Sequence, residues 1–160
     1  ANVVFNNTYI TSTYRDYQIT FSNIHSSGDG SGLEIFFSQD NGSSYETSNF
    51  HRCNFGQKQD GDNFHIQTDS SIDGLGLTGN QGIGSATGET ASGHVTIYNP
   101  LGTDNHKSVV GMSAGENSSG IGYLFCHGGS YRQTHAINAF KLQLTAGNMS
   151  SGVVKLYGIA

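Results

Sequence analysis

The amino-acid sequence predicts an all-β protein, an antiparallel β-sandwich of jelly-roll-like form with about eight to ten strands. Apolar residues recur with a period of two rather than 3.6, and turn signals return about every 8–12 residues. The residues that build helices are sparse, whereas glycine occurs 23 times and proline once. The 160 residues suit one domain spanning 1–160.

Composition narrows the function classes. Only 12% of the residues are charged, against about 25% in an average globular protein, so Ser, Thr, Asn, Gln and Gly must supply the polar surface. The formal net charge of −5 argues against a nucleic-acid-binding surface. No apolar stretch approaches the roughly 20 residues that span a bilayer, so we expect no membrane insertion. The first residues lack the features of a signal peptide. A mature N-terminus left by signal-peptide cleavage and one left by removal of Met would both look like this.

The predicted strands follow the alternation of apolar and polar residues along the chain. The clearest examples are Tyr17, Ile19 and Phe21 in the second strand and Phe140, Leu142 and Leu144 near the end. The candidate strands, of which about eight to ten are expected to form, span in order 3–5, 14–24, 33–38, 45–55, 64–68, 71–77, 94–98, 106–113, 121–126, 140–144 and 153–157. The segments 57–63 and 79–93 are predicted to be loops, the second around an irregular strand.

Two turns are interpreted as hairpins. Asn41-Gly42 is the dipeptide most typical of a tight hairpin turn, and it separates the third and fourth predicted strands. The segment 145–152 contains Gly147 and Asn148, both able to take a positive φ, and joins the last two strands. We expect this final hairpin to close a sheet.

The chain contains one internal similarity. Residues 92–98 and 151–157 share the pattern Ser-Gly-x-Val-x-[Ile/Leu]-Tyr. This pattern fits two equivalent strands in facing or neighbouring sheets. Two unrelated strands that obey the same physical preferences explain it equally well.

The two cysteines, Cys53 and Cys126, are too few for a disulfide scaffold. They fit either one bridge or two free buried thiols. The neighbouring pairs His51-x-Cys53 and Cys126-His127 lack the two to four intervening residues that are typical of structural zinc sites. We expect neither a metal nor a cofactor.

No motif predicts catalysis. Residues 111–115 match Gly-x-Ser-x-Gly, but the strained strand–helix turn that exposes a nucleophilic serine belongs to α/β sheets, so Ser113 is interpreted as a strand-end residue. Asp60, Asp62 and Asn63 resemble the start of a calcium loop that lacks its closing glutamate. We therefore expect no enzyme activity.

A sugar-binding surface is favoured over an active site. Sheets and loops hold sugars with aromatic faces beside Asn, Asp, Arg and His. The stretch 127–135 is richest in these residues, and the turn 40–45 is next. The candidate ligand-binding residues are His127, Tyr131, Arg132, His135, Asp40 and Tyr45. Ordinary loop aromatics would give the same pattern.

Several segments together resemble one family. They are Ser-Thr-Tyr-Arg-Asp-Tyr at 12–17 with Phe-Ser-Asn-Ile-His at 21–25, Ser-Gln-Asp-Asn-Gly-Ser-Ser-Tyr at 38–45, Ser-Gly-His-Val-Thr-Ile-Tyr-Asn-Pro at 92–100, and Ala-Ile-Asn-Ala at 136–139 with Leu-Tyr-Gly-Ile at 156–159. In this order they resemble small β-rich structural proteins and tail-fibre domains of tailed bacteriophages, especially marine ones. The likeness runs from near residue 12 to 159 and is poor between roughly 50 and 90.

The resemblance implies a virion protein without a catalytic motif, folded in the cytoplasm of a bacterial host. It would sit in a tail fibre or decorate the capsid, for host-surface attachment or particle stabilisation. Its partners would be other virion proteins and further copies, with a trimer favoured because appendages are symmetric, and a host-surface glycan is a candidate ligand. The alternative is a secreted carbohydrate-binding module of cellular origin. A third hypothesis, a small glycan hydrolase, needs two carboxylates about 5–10 Å apart.

Overall fold

The fold is an antiparallel β-sandwich, as the sequence predicts. The computed structural model describes residues 2–61, 67–72, 74–79 and 81–160, and these ranges contain eleven strands and no helix. The strands are β1 (Val3–Phe5), β2 (Asp16–Ser26), β3 (Leu33–Ser38), β4 (Phe50–Lys58), β5 (Gln67–Ile72), β6 (Leu75–Gly76), β7 (Ala91–Ile97), β8 (Lys107–Glu116), β9 (Gly122–Tyr131), β10 (Ala139–Leu144) and β11 (Met149–Ile159).

Two sheets face each other across the core. The smaller sheet has the order β1-β10-β3-β6, and the larger has the order β11-β2-β7-β8-β9-β4-β5. Every pairing is antiparallel. Aromatic rings bridge the sheets: Tyr17 of the larger sheet meets Phe140 of the smaller one with ring centroids 6.4 Å apart.

The period of two in the sequence decides which side chains fill the core. In β2, Tyr17, Ile19 and Phe21 are buried, while the residues between them are half-buried. In β10, Phe140 and Leu142 are buried in the same alternating way. Burial of each such side chain stabilises the fold by about 1.5–3 kcal/mol before entropy is counted. The alternation therefore determines which face of each sheet packs against the other.

Both predicted hairpins are wrong, although the chain turns at Asn41-Gly42 and at Gly147. The second turn is shorter than predicted, because β11 already begins at Met149. Asn41 and Gly42 have φ values of 63° and 87°, as the dipeptide predicts. However, β3 belongs to the smaller sheet and β4 to the larger one. Phe37 and Phe50 therefore face each other across the core, with ring centroids 5.3 Å apart, instead of pairing side by side. Turn chemistry fixes the local backbone, but it does not choose the sheet that the next strand joins.

The final two strands separate in the same manner. β10 pairs with β1 and β3, whereas β11 pairs with β2 in the other sheet. The predicted alternation is nevertheless confirmed, since Val154 and Leu156 pack against the core and Lys155 and Tyr157 are exposed. β11 is therefore an edge strand of the larger sheet and not the second strand of a hairpin.

The two similar segments lie in one sheet, and not in the facing or neighbouring sheets that were predicted. β7 and β11 lie on either side of β2, both antiparallel to it. Ile19 of β2 has Val95 of β7 opposite on one side and Leu156 of β11 opposite on the other. The shared pattern thus reflects two strands that cover the same central strand.

Several strand boundaries differ from the prediction. β4 continues to Lys58, into the segment that was predicted to be a loop, and β9 continues to Tyr131, five residues beyond the predicted end. The predicted strands 64–68 and 71–77 correspond in part to β5 and β6, while residues 64–66 lie outside the described residues.

A buried lysine fastens the loops at one end of the sandwich. Lys107 is 1% exposed, and its Nζ donates to the carbonyl oxygens of Gly102 (2.6 Å), Asn105 (2.9 Å) and Thr134 (3.3 Å). Three carbonyl acceptors match the three protons of an ammonium group. The side chain therefore ties the loop between β7 and β8 to the loop after β9.

Candidate binding surfaces

The structure brings the two predicted sugar-binding stretches to the same end of the sandwich. Asn41 N–H donates to Asn138 Oδ1 (2.8 Å), and Arg132 N–H donates to the carbonyl of Asn49 (2.9 Å). The crossing between β3 and β4 therefore lies against the segment after β9. We call this surface the crossover rim, formed by residues 39–51 and 132–138.

His127 does not belong to the crossover rim. It lies on the inner face of β9, only 4% exposed, and its Nε2 lies 3.2 Å from the carbonyl oxygen of His94. A carbonyl only accepts, so Nε2 carries a proton, and Nδ1 has no hydrogen-bond partner. Burial lowers the pKa of His127 to about 4. The side chain has no face open to a sugar in solution.

Tyr131 is also a core residue. Its ring is fully buried between Phe37 and Phe50, with centroids 6.0 Å and 4.9 Å away. Only the hydroxyl reaches towards the crossover rim, where Gln39 Nε2 donates to it at 3.2 Å. Burial raises the pKa of Tyr131, and the neighbouring Glu46 carboxylate raises it further. The ring therefore stabilises the sandwich and offers no stacking surface.

Asp40 and Tyr45 build the turn at which they lie. The Asp40 carboxylate accepts hydrogen bonds from Ser44 N–H (2.8 Å), Ser44 Oγ (2.6 Å) and Ser38 Oγ (2.7 Å), which lower its pKa to about 2. The ring of Tyr45 lies 4.2 Å from Lys141 Nζ, which also lies 4.4 Å from the ring of Phe36. The lysine already covers an aromatic face that a sugar would need.

Arg132 and His135 remain exposed on the crossover rim. Arg132 Nη1 lies 3.4 Å from Nε2 of His51, a half-buried residue on β4. Together with Glu46, these groups offer hydrogen-bond donors and acceptors without an aromatic platform. His51 was missed because it lies on β4, far from residue 132 in the sequence, whereas Glu46 directly follows the predicted turn 40–45.

A signal in the sequence could have identified the buried pair. Tyr123, Phe125, His127 and Tyr131 are all odd-numbered members of one strand, and all four are buried. Extending the period of two past Cys126 would have placed His127 and Tyr131 on the core face. Gly128 and Gly129 have no side chains, so the alternation is interrupted in the sequence between His127 and Tyr131.

The outer face of the larger sheet carries exposed apolar side chains. Phe55, Val110, Met112 and Leu124 are each about half exposed on three adjacent strands. A shallow depression of about 360 Å³ is lined by Phe55, Val110 and Met112 and by both cysteines. Cys53 is exposed and Cys126 half-buried, and both thiols are free. The bridge is therefore wrong, and the alternative of two free buried thiols is right in that both are free but wrong in that neither is fully buried.

The described residues contain no group of side chains that could hold a metal ion. Ser113 is buried and its hydroxyl donates to the carbonyl of Leu77 at 2.6 Å, so it is a structural residue. Within the described ranges, no three His, Cys, Asp or Glu side chains group closely enough to hold a metal ion. Asp60 pairs with Lys58 at 3.4 Å, while Asp62 and Asn63 lie outside those ranges.

Comparison with known proteins assigns no family. No protein-family model, curated protein or solved structure matches the chain significantly. Among the residues described, no helix is long and apolar enough to cross a membrane.

Proposed function

We propose that this protein is a structural component of a bacteriophage virion, a β-sandwich module displayed on a tail fibre or appendage or on the capsid. It would serve host-surface attachment or particle stabilisation, together with other virion proteins and further copies of itself. For attachment, the exposed Arg132 and His135 on the crossover rim are the groups that we propose for contact with a host-surface glycan.

The observation that carries this proposal is the exposed apolar surface of the larger sheet. Half-exposed Phe55, Val110, Met112 and Leu124 are typical of a surface that contacts other proteins. An assembly component needs such surfaces, whereas a catalyst needs convergent titratable groups. Hydrogen bonds from Lys107 and to the Asp40 carboxylate hold the surrounding loops in place. Such fixed loops are a further argument for a rigid displayed module.

Immunogold electron microscopy tests the proposal. Antibodies raised against the purified chain are applied to intact particles of a phage whose genome encodes it, with antibodies depleted on the same chain as the control. We expect gold at one defined position, either the tail or the capsid. The proposal is wrong if purified particles carry neither gold nor the chain by mass spectrometry while the lysate contains it free.

A further inference from the structure

The last strand, β11, forms a long open edge of the larger sheet. It pairs with β2 on one side, and no described strand pairs with it on the other. The two edge strands of the smaller sheet, β1 and β6, have only three and two residues, whereas β11 has eleven. Irregular register in β11 is confined to 149–153, so Val153–Ile159 is a regular segment of seven residues. Exposed edges of natural sheets are usually short, charged or bulged.

The core is incompletely covered beside the same edge. Five of the six half-exposed apolar side chains that pack on the core belong to β1 or β11; the six are Val3, Phe5, Leu101, Met149, Val154 and Leu156. A depression of about 270 Å³ lies between these two strands. Further apolar cover here would remove surface from water and would stabilise an assembly.

We propose that β11 pairs with β11 of a second copy of this chain, antiparallel about a two-fold axis at Leu156. The two larger sheets would join into one continuous sheet through backbone hydrogen bonds. The inference rests on the assembly of copies in the proposed function and names the surface that makes the contact.

The side chains of the regular segment are complementary to themselves in this register. Val153 lies opposite Ile159, Val154 opposite Gly158, Lys155 opposite Tyr157, and Leu156 opposite its own copy. Val153, Tyr157 and Ile159 are exposed in the single chain, at 52%, 47% and 38%. Each ammonium group would thus meet an aromatic ring, and the other outward pair would be apolar.

Neighbouring registers fit less well. Because the side-chain period is two, directly opposed residues share a face. An axis at Lys155 would place two ammonium groups directly opposite each other, which is destabilising. An axis at Val154 or Tyr157 would leave part of the segment without a partner in the regular region. A two-fold contact uses the same patch on both copies, so it predicts a dimer where the resemblance favours a trimer.

Three variants of the purified chain test the contact by sedimentation equilibrium. Tyr157→Lys places a lysine opposite Lys155 twice per dimer, and we expect the dissociation constant to rise about tenfold or more. Adding Lys155→Glu to this variant restores an opposite-charge pair at both places, so we expect the affinity to recover. Tyr98→Lys, the same change at a tyrosine that is 44% exposed but lies directly after β7, should leave the dimer unchanged.

Folding and location are measured on the same samples. Circular dichroism and melting show that each variant is folded, and hydrogen exchange should show protection of residues 153–159 in the wild type that Tyr157→Lys removes. A monomeric or trimeric wild type, a folded double variant that stays dissociated, or dissociation by Tyr98→Lys alone would overturn the proposal. Sedimentation uses only the purified chain, so its result does not depend on the immunogold experiment. If the chain dimerises but the phage particles carry no gold, the virion proposal is refuted and the strand contact stands.

Discussion

Acidification should destabilise this protein through one buried histidine. His127 lies on the core face of β9, packed against Gly111, and its Nε2 is within hydrogen-bond distance of the His94 carbonyl. The imidazole is neutral, and a second proton would place a charge at a buried nitrogen that has no partner. The ring therefore resists protonation as long as the chain is folded.

The size of the effect follows from the pKa in each state. Burial lowers the pKa of His127 from 6.5 to about 4, so the unfolded chain binds a proton that the folded chain does not. Stability is then full above about pH 6.5 and falls as the pH drops towards 4. Linkage gives a loss of about 2 kcal/mol in the free energy of unfolding between pH 7 and pH 5, and about 3 kcal/mol at the limit.

Urea unfolding at pH 7 and pH 5 measures this loss. His127→Gln removes the titrating group but keeps a donor for the His94 carbonyl, so we expect its stability to change about 2 kcal/mol less between the two pH values than that of the wild type. His135→Gln, at an exposed position, is the matched control and should behave like the wild type. If His127→Gln and the wild type lose the same free energy on acidification, the reasoning is refuted.

Two further predictions concern stability at neutral pH. Lys107→Met should lower the free energy of unfolding by about 3 kcal/mol, because three carbonyls lose a charged donor. Arg15→Met, at an exposed site, should change it little, and equal losses would contradict this role. Gly79 and Gly120 both have positive φ, but only at Gly79 would a Cβ meet an aromatic ring. Alanine at Gly79 should therefore cost about 1–3 kcal/mol more than alanine at Gly120 in the same assay, and equal costs would show that packing there is unimportant.

The sequence predicted the class of fold because side-chain alternation is a local property. Tyr17, Ile19 and Phe21 point to one side of β2 whatever strand lies beside it. The hairpins failed because a turn such as Asn41-Gly42 sets only a few dihedral angles. Whether the chain then stays in its sheet or crosses to the opposite one depends on which apolar faces must cover each other, here Phe37 and Phe50.

Two of the predicted sugar-binding residues were misplaced because a local pattern was not followed far enough along the strand. His127 and Tyr131 were interpreted by residue type as loop residues, although the alternation continues to them along β9. Their burial was thus present in the sequence pattern. By contrast, the contact between Arg132 and His51 joins residues 81 positions apart, and no local pattern predicts it.

The sequence by itself determined that this chain forms strands, which residues of β2, β3 and β10 face the core, and where the backbone turns. These properties depend on neighbours within a few residues. Only the tertiary structure decided which sheet each strand joins, that Lys107 is buried among three carbonyls, and that β11 is left at an edge. These features arise from contacts between distant segments, whose geometry is set when the two sheets pack together.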